Sequence, residues 1–152
     1  MHFDKYPITT GETSMVYEFA SKGSNGQVLK LVIYSETHLH NFYNLGFGDK
    51  DELTGLIDDE VITNNGDSAK VLATVASTLY NFTDRFPDAM VFAIGSTKTR
   101  TRLYRMGISN NLDTINIDFE VFGLIDQQWQ PFVKGVEFEA FLVKRKNSNF
   151  TQ

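Results

Sequence analysis

The apolar and polar positions change period along the chain, and each change marks an element. Residues 13–21 alternate, with Met15, Tyr17 and Phe19 on one side, which predicts a half-buried strand. Residues 27–34 are dense in β-branched and apolar side chains. Between the two lies Lys22-Gly23-Ser24-Asn25-Gly26, whose Asn-Gly pair favours positive φ, so the two runs predict a β-hairpin. A third strand is expected over 41–47. A polar, acidic stretch follows over 48–60, and a short strand over 61–63.

The period then becomes helical. Val71, Leu72, Val75, Leu79, Phe82 and Phe86 recur at spacings of three and four, which predicts a helix over about 68–86. Asp67 or Ser68 would cap its start, and Pro87 ends it. Residues 89–94 form a short apolar run, read as a buried strand. A second helix is expected from Thr97 to Gly107, with Gly107 as its terminating glycine. Residues 114–122 alternate, with Ile115, Ile117, Phe119 and Val121 on one face, and 136–143 alternate too. Both predict strands. The order is β-β-β-(β)-α-β-α-β-β. It describes an α+β fold: a mostly antiparallel twisted sheet, two main helices, and one parallel pair made by a strand–helix–strand crossover. One domain is expected over 1–146, with a frayed polar tail at 147–152.

Composition narrows the function classes. The chain has 152 residues, 41% of them apolar, enough for a packed core. Its net charge of −5 argues against a protein that coats nucleic acid. The absence of cysteine excludes disulfides, thiol nucleophiles and cysteine-bound zinc. The start of the chain has no signal-peptide pattern, and no apolar run approaches the ~20 residues that span a bilayer. A cytoplasmic protein without a membrane partner is the expectation, and the pattern leaves its oligomeric state open.

Against the acidic total, four cations crowd into eight residues: Lys98, Arg100, Arg102 and Arg105. On a helix, Lys98, Arg102 and Arg105 share one stripe. Thr99, Leu103 and Met106 would face the core, and Arg100 with Tyr104 would form a third face. Gly95-Ser96-Thr97 places small residues and backbone N–H groups at the helix start, where the dipole favours an anion. One reading is therefore a phosphate site using Ser96, Thr97, Arg100 and Arg102. The other is a surface helix paired with neighbouring acids such as Asp118 and Glu120.

The turn Asn64-Asn65-Gly66 before the first helix poses the same choice. Asn and Gly tolerate positive φ, so successive N–H groups there can converge on an anion, or simply make a turn. It matches neither the Walker A loop nor the G-x-G-x-x-G fingerprint. The acidic stretch lacks the EF-hand pattern, and His38 with His40 has no evident third ligand, so no metal site is expected. No nucleophile–His–acid signature appears. Trp129 is expected to anchor its loop on the sheet.

Several stretches resemble a family of small bacterial proteins of unknown function: Phe47-Gly48-Asp49, Asp58-Asp59, TNNGD at 63–67, VLATV at 71–75 and GSTKTRTRLY at 95–104. The resemblance covers roughly residues 3 to 145 and brings no activity with it. The second half is also similar to the GNAT acyltransferase fold in its strand, glycine turn, long helix, strand, and Leu-Tyr helix. That resemblance implies acetyl-CoA as cofactor, its pyrophosphate held by the turn at 63–68 around Asn64, Asn65 and Gly66. It also implies Tyr104 as the acid that protonates the leaving thiolate. The expectation is a domain that binds an acyl-CoA or another phosphate-bearing small ligand. The alternative is a non-catalytic or toxin-like module whose Lys98, Arg102 and Arg105 contact RNA or an acidic protein partner.

Overall fold

A computed structural model describes residues 4–58, 60–95 and 97–146. Its strands are β1 Thr9–Thr10, β2 Val16–Gly23, β3 Gly26–Glu36, β4 Phe42–Asp49, β5 Met90–Ala93, β6 Phe119–Ile125, β7 Gln128–Pro131 and β8 Ala140–Arg145. Its helices are α1 Ser68–Arg85, α2 Lys98–Asn110 and α3 Leu112–Asp118. The strands form one sheet in the order β1-β2-β3-β4-β5-β8-β6-β7. Every neighbouring pair is antiparallel except β4 with β5, the parallel pair that the crossover through α1 requires. The fold is α+β, as the order of elements predicts.

The helices pack on one face of the sheet. Tyr17, Phe19, Val32, Tyr34, Leu45 and Phe47 of the hairpin and β4 join Val91, Val121, Phe141 and Val143 in a single core with Val71, Val75, Leu79 and Phe82 of α1. Phe82 lies flat on Tyr34 at 4.1 Å between ring centroids and meets Tyr43 edge-on at 5.0 Å. Such aromatic pairs add to the area that they bury. Trp129 lies on β7, a strand rather than a loop, and packs against Phe92.

Four expectations need correction. The alternation at 114–122 is not one strand: α3 runs to Asp118 and β6 starts at Phe119. Leu112, Ile115 and Phe119 also fit a helical stripe, and tertiary packing selects it. Ile115 is fully buried, whereas Ile117, expected beside it, is 70% exposed. Helix α2 does not stop at Gly107 but continues to Asn110, because the glycine serves a close approach within the helix. A Cβ on Gly107 would lie 3.2 Å from Leu72 Cδ2 of α1. Strand β8 starts only at Ala140, since Phe138 leaves the ladder to fill the space over Gly123, where a Cβ would come within 2.3 Å of the ring. Residues 61–63 form no strand; side chains hold the backbone there instead. The expected tail at 147–152 lies outside the described residues.

Candidate functional site

Lys30 and Asp49 face each other across β3 and β4, on the side that carries the helices. Both are buried, with Lys30 only 1% exposed. The Lys30 ammonium donates to Asp49 Oδ1 at 2.5 Å and to the Thr63 carbonyl at 2.8 Å. The other carboxylate oxygen of Asp49 accepts the Thr63 N–H at 2.9 Å. Together the pair satisfies both polar groups of one peptide residue, much as an added strand would. This clamp fixes the chain just before the turn that leads into α1.

The turn is then built from asparagines. Asn64 Oδ1 accepts the Gly66 N–H at 2.9 Å, and Gly66 takes φ +77°, a conformation that glycine adopts without strain. Asn65 is buried and reaches into the β2–β3 hairpin. Its Oδ1 accepts the Asn25 N–H at 2.6 Å, and its Nδ2 donates to the Gly26 carbonyl at 2.9 Å. The backbone comes so close that a Cβ on Gly23 would lie 1.9 Å from the Asn65 carbonyl oxygen. Asn65 is thus occupied in joining the turn to the hairpin.

Asp67 precedes α1 but does not cap it with its side chain. Its Oδ2 accepts the hydroxyls of Tyr6 at 2.5 Å and Ser21 at 2.6 Å instead. The first turn of α1 contains no acidic residue. By contrast Thr97 does cap α2, its Oγ1 accepting the Arg100 N–H at 3.2 Å.

Between these two helix starts lies a cavity of about 180 Å³. Asn64, Asp67, Ser68 and Thr99 are among its polar walls, Phe47, Ile62 and Leu103 among its apolar ones, and Lys30 also lines it. Lys30 balances Asp49, and the Asp67 carboxylate is held by the Tyr6 and Ser21 hydroxyls. The aligned peptides of α1 add a field that favours an anion, and the Asp67 carboxylate on the same wall opposes it.

The other predicted site residues separate. The sequence pattern placed Thr99, Leu103 and Met106 toward the core, but the fully buried residues of α2 are Arg100, Tyr104 and Ile108. Arg100 is tolerated inside because its guanidinium has carbonyls to meet: Nη1 donates to Phe47 O at 2.7 Å and Nη2 to Asp58 O at 2.6 Å. It ties α2 to β4 and to the loop after it. Tyr104, 8% exposed, lines a second, apolar cavity of about 50 Å³ that shares Leu72 with the first. Burial pushes its phenol up from the ordinary tyrosine range, opposed by the Arg100 charge and the Phe47 backbone.

Lys98, Arg102 and Arg105 do form one stripe, along a groove on the opposite side of α2. The acids that face them are Glu137 and Glu139, not Asp118 and Glu120. Arg105 Nη1 lies 3.9 Å from Glu137 Oε1, and the Glu137 side chain is 87% exposed. Ser96 lies outside the described residues. Sequence reasoning missed Lys30. Its signal was a single charge in the apolar run Leu29-Lys30-Leu31-Val32, which a buried strand carries only with a partner.

The molecule is thus an α+β protein with a helix-covered sheet and a partly polar cavity between two helix N-termini. The chain belongs to DUF6934, a family of unknown function that it matches over residues 2–146. No curated protein and no solved structure matches it, so the GNAT resemblance gains no support from either comparison. Among the described residues, no helix is long and apolar enough to cross a membrane.

Proposed function

We propose that the cavity between α1 and α2 binds a small ligand through a phosphate or carboxylate group. The observation that carries this reading is the first turn of α1, which has no side-chain cap and opens on the cavity; Asp67, the residue before it, also lines the cavity, its Oδ2 taken up by the Tyr6 and Ser21 hydroxyls. Ser68, Thr99 and Asn64 supply further polar contacts. Acyl-CoA belongs to the ligand class through its pyrophosphate. Tyr104 has no chemical role in this reading, because its ring belongs to the apolar cavity. The function is binding, with the Lys30–Asp49 clamp holding the turn in place.

Calorimetric titration with inorganic pyrophosphate and with acetyl-CoA, at two salt concentrations, tests it. Saturable heat with pyrophosphate that survives moderate salt is expected. Gly66→Val should weaken it, since a branched residue is strained at φ +77°. Heat with pyrophosphate but none with acetyl-CoA would remove the coenzyme from the class. No heat with either, on folded protein, would overturn the reading. A nucleic-acid partner on the basic stripe is disfavoured by Glu137 and Glu139 in the same groove. Steeply salt-dependent RNA binding would revive that alternative.

A further inference from the structure

The sheet has a second face, turned away from the helices, and its two halves differ there. On the β2–β4 half that face carries Glu18, paired with Lys50 at 2.8 Å, and Ile57 of the following loop packs onto it: a Cβ on Gly46 would lie 3.4 Å from Ile57 Cδ1. On the other half the alternation turns apolar side chains outward. Met90 and Phe92 of β5, Leu142 of β8, Phe122 and Leu124 of β6 and Trp129 of β7 point away from the helices, because their neighbours Val91, Val143 and Val121 face the core. Phe92 packs on Phe42 at 5.3 Å and, across β8 and β6, on Trp129 at 5.8 Å. Trp129 is still 41% exposed, and Ile94, next after β5, is 57% exposed. The solvated face of an antiparallel sheet is ordinarily polar, and a contiguous apolar patch marks an interaction site. The outward charges on these four strands are Lys144 and Glu120, directly opposite each other in the β8–β6 register.

We propose that this face binds a second copy of the chain, sheet against sheet, with a two-fold axis running along the strands between β6 and β8. Charge complementarity points to that occupant. With this axis Lys144 of each copy lies over Glu120 of the other, whereas an axis along β8 would set Lys144 on Lys144. Bulk matches as well: Ala140, small and opposite Leu124 in the register, comes over Leu124 of the other copy, and β5 of each copy covers β7 of the other. Two aligned sheets pack in this way, with the side chains of their facing sides interleaved. Four strands at a spacing of about 4.8 Å make a small footprint, so the dimer is reversible and of micromolar affinity.

The test is sedimentation equilibrium of the full chain from micromolar to near-millimolar concentration, with the emission of Trp129, the single tryptophan, followed over the same dilution series. A monomer–dimer equilibrium is expected, and the emission should shift to the blue as the dimer forms. Ile94→Lys puts a charge at an already exposed position, so the fold is kept and the dimer should be lost. Lys144→Glu should weaken the dimer about tenfold, since symmetry sets the new repulsion with Glu120 twice, and adding Glu120→Lys should restore it. A monomer throughout, with emission independent of concentration, would overturn the second copy as occupant. A dimer indifferent to Ile94→Lys, or one that leaves the emission unshifted, would put the contact elsewhere on the molecule and overturn this face. A double variant that stays as weak as Lys144→Glu would overturn the axis between β6 and β8.

Discussion

Helix α2 has a cleft on each side, and the two differ in a way that charge counting does not reveal. The outer groove gathers Lys98, Arg102 and Arg105, but two glutamates face them and the groove is open to water. The inner cavity borders no arginine. Its lysine is paired, and its polarity comes from a helix start, an asparagine turn, the Asp67 carboxylate and three hydroxyl residues, Thr63, Ser68 and Thr99. In the outer groove water screens each charge and neighbouring acids offset it. In the inner cavity Asn64, Ser68 and Thr99 are exposed as well, but the lysine is buried against its acid. The stripe is a charged surface faced by acids, whereas the start of α1 has no side-chain cap.

The largest expected effect lies under the inner cavity. Lys30→Met leaves the Asp49 carboxylate buried without its cation and frees the Thr63 carbonyl. Removing one partner of a buried pair costs about 3–5 kcal/mol. Urea unfolding followed by circular dichroism should show that loss. Adding Asp49→Leu to Lys30→Met should recover much of it, because the stranded charge is gone. A single-variant loss below about 1 kcal/mol would mean that water reaches the pair. The two clefts would then differ less in solvation than their geometry indicates.

Much of the fold was legible in the sequence, and the illegible part has physical causes. The hairpin, α1 and the parallel crossover follow from local signals: Asn25-Gly26, a three–four apolar period, and a strand that must return past a helix. The second half misled because Ile115 and Phe119 fit both periods, and only packing on α1 and the sheet separates them. The asparagine turn was recognised as special, but its partners lie some forty residues away in the hairpin, so Asn65 could not be read as a link. Arg100 looked like an anion ligand because its two carbonyl partners, Phe47 and Asp58, are likewise distant in sequence.

A smaller effect is expected at Tyr104, which faces the core between the clefts. Tyr104→Phe should leave pyrophosphate affinity unchanged and cost about 1 kcal/mol or less at neutral pH. Its folded pKa is raised, chiefly by burial, above the ordinary value near 10. The native state therefore keeps a proton that the unfolded chain releases. That contribution to stability is fully present below about pH 10 and is lost as pH rises through the folded value. Replacing the phenol should flatten the alkaline decline of stability, measured as urea midpoints across that range. A loss of pyrophosphate binding in this variant would put Tyr104 in the ligand site and join the two cavities functionally.

The smallest effect is expected where the charge is greatest. Lys98→Ala, Arg102→Ala and Arg105→Ala should each change stability by no more than about 0.5 kcal/mol. The one ion pair within the groove, Arg105 with Glu137, is long at 3.9 Å and its acid is almost wholly exposed, so water replaces it readily. The triple variant carries the sharper test, because it removes the stripe without touching the inner cavity. At about 0.1 M salt the screening length is near 10 Å, so distant cations add little to an anion bound on the far side of α2. Pyrophosphate affinity in the triple variant should match that of the wild type at that salt and fall modestly only at lower salt. If the triple variant abolishes binding at moderate salt, the anion sits on the stripe. The comparison then reverses: the outer groove is the site, and the uncapped start of α1 is only a turn.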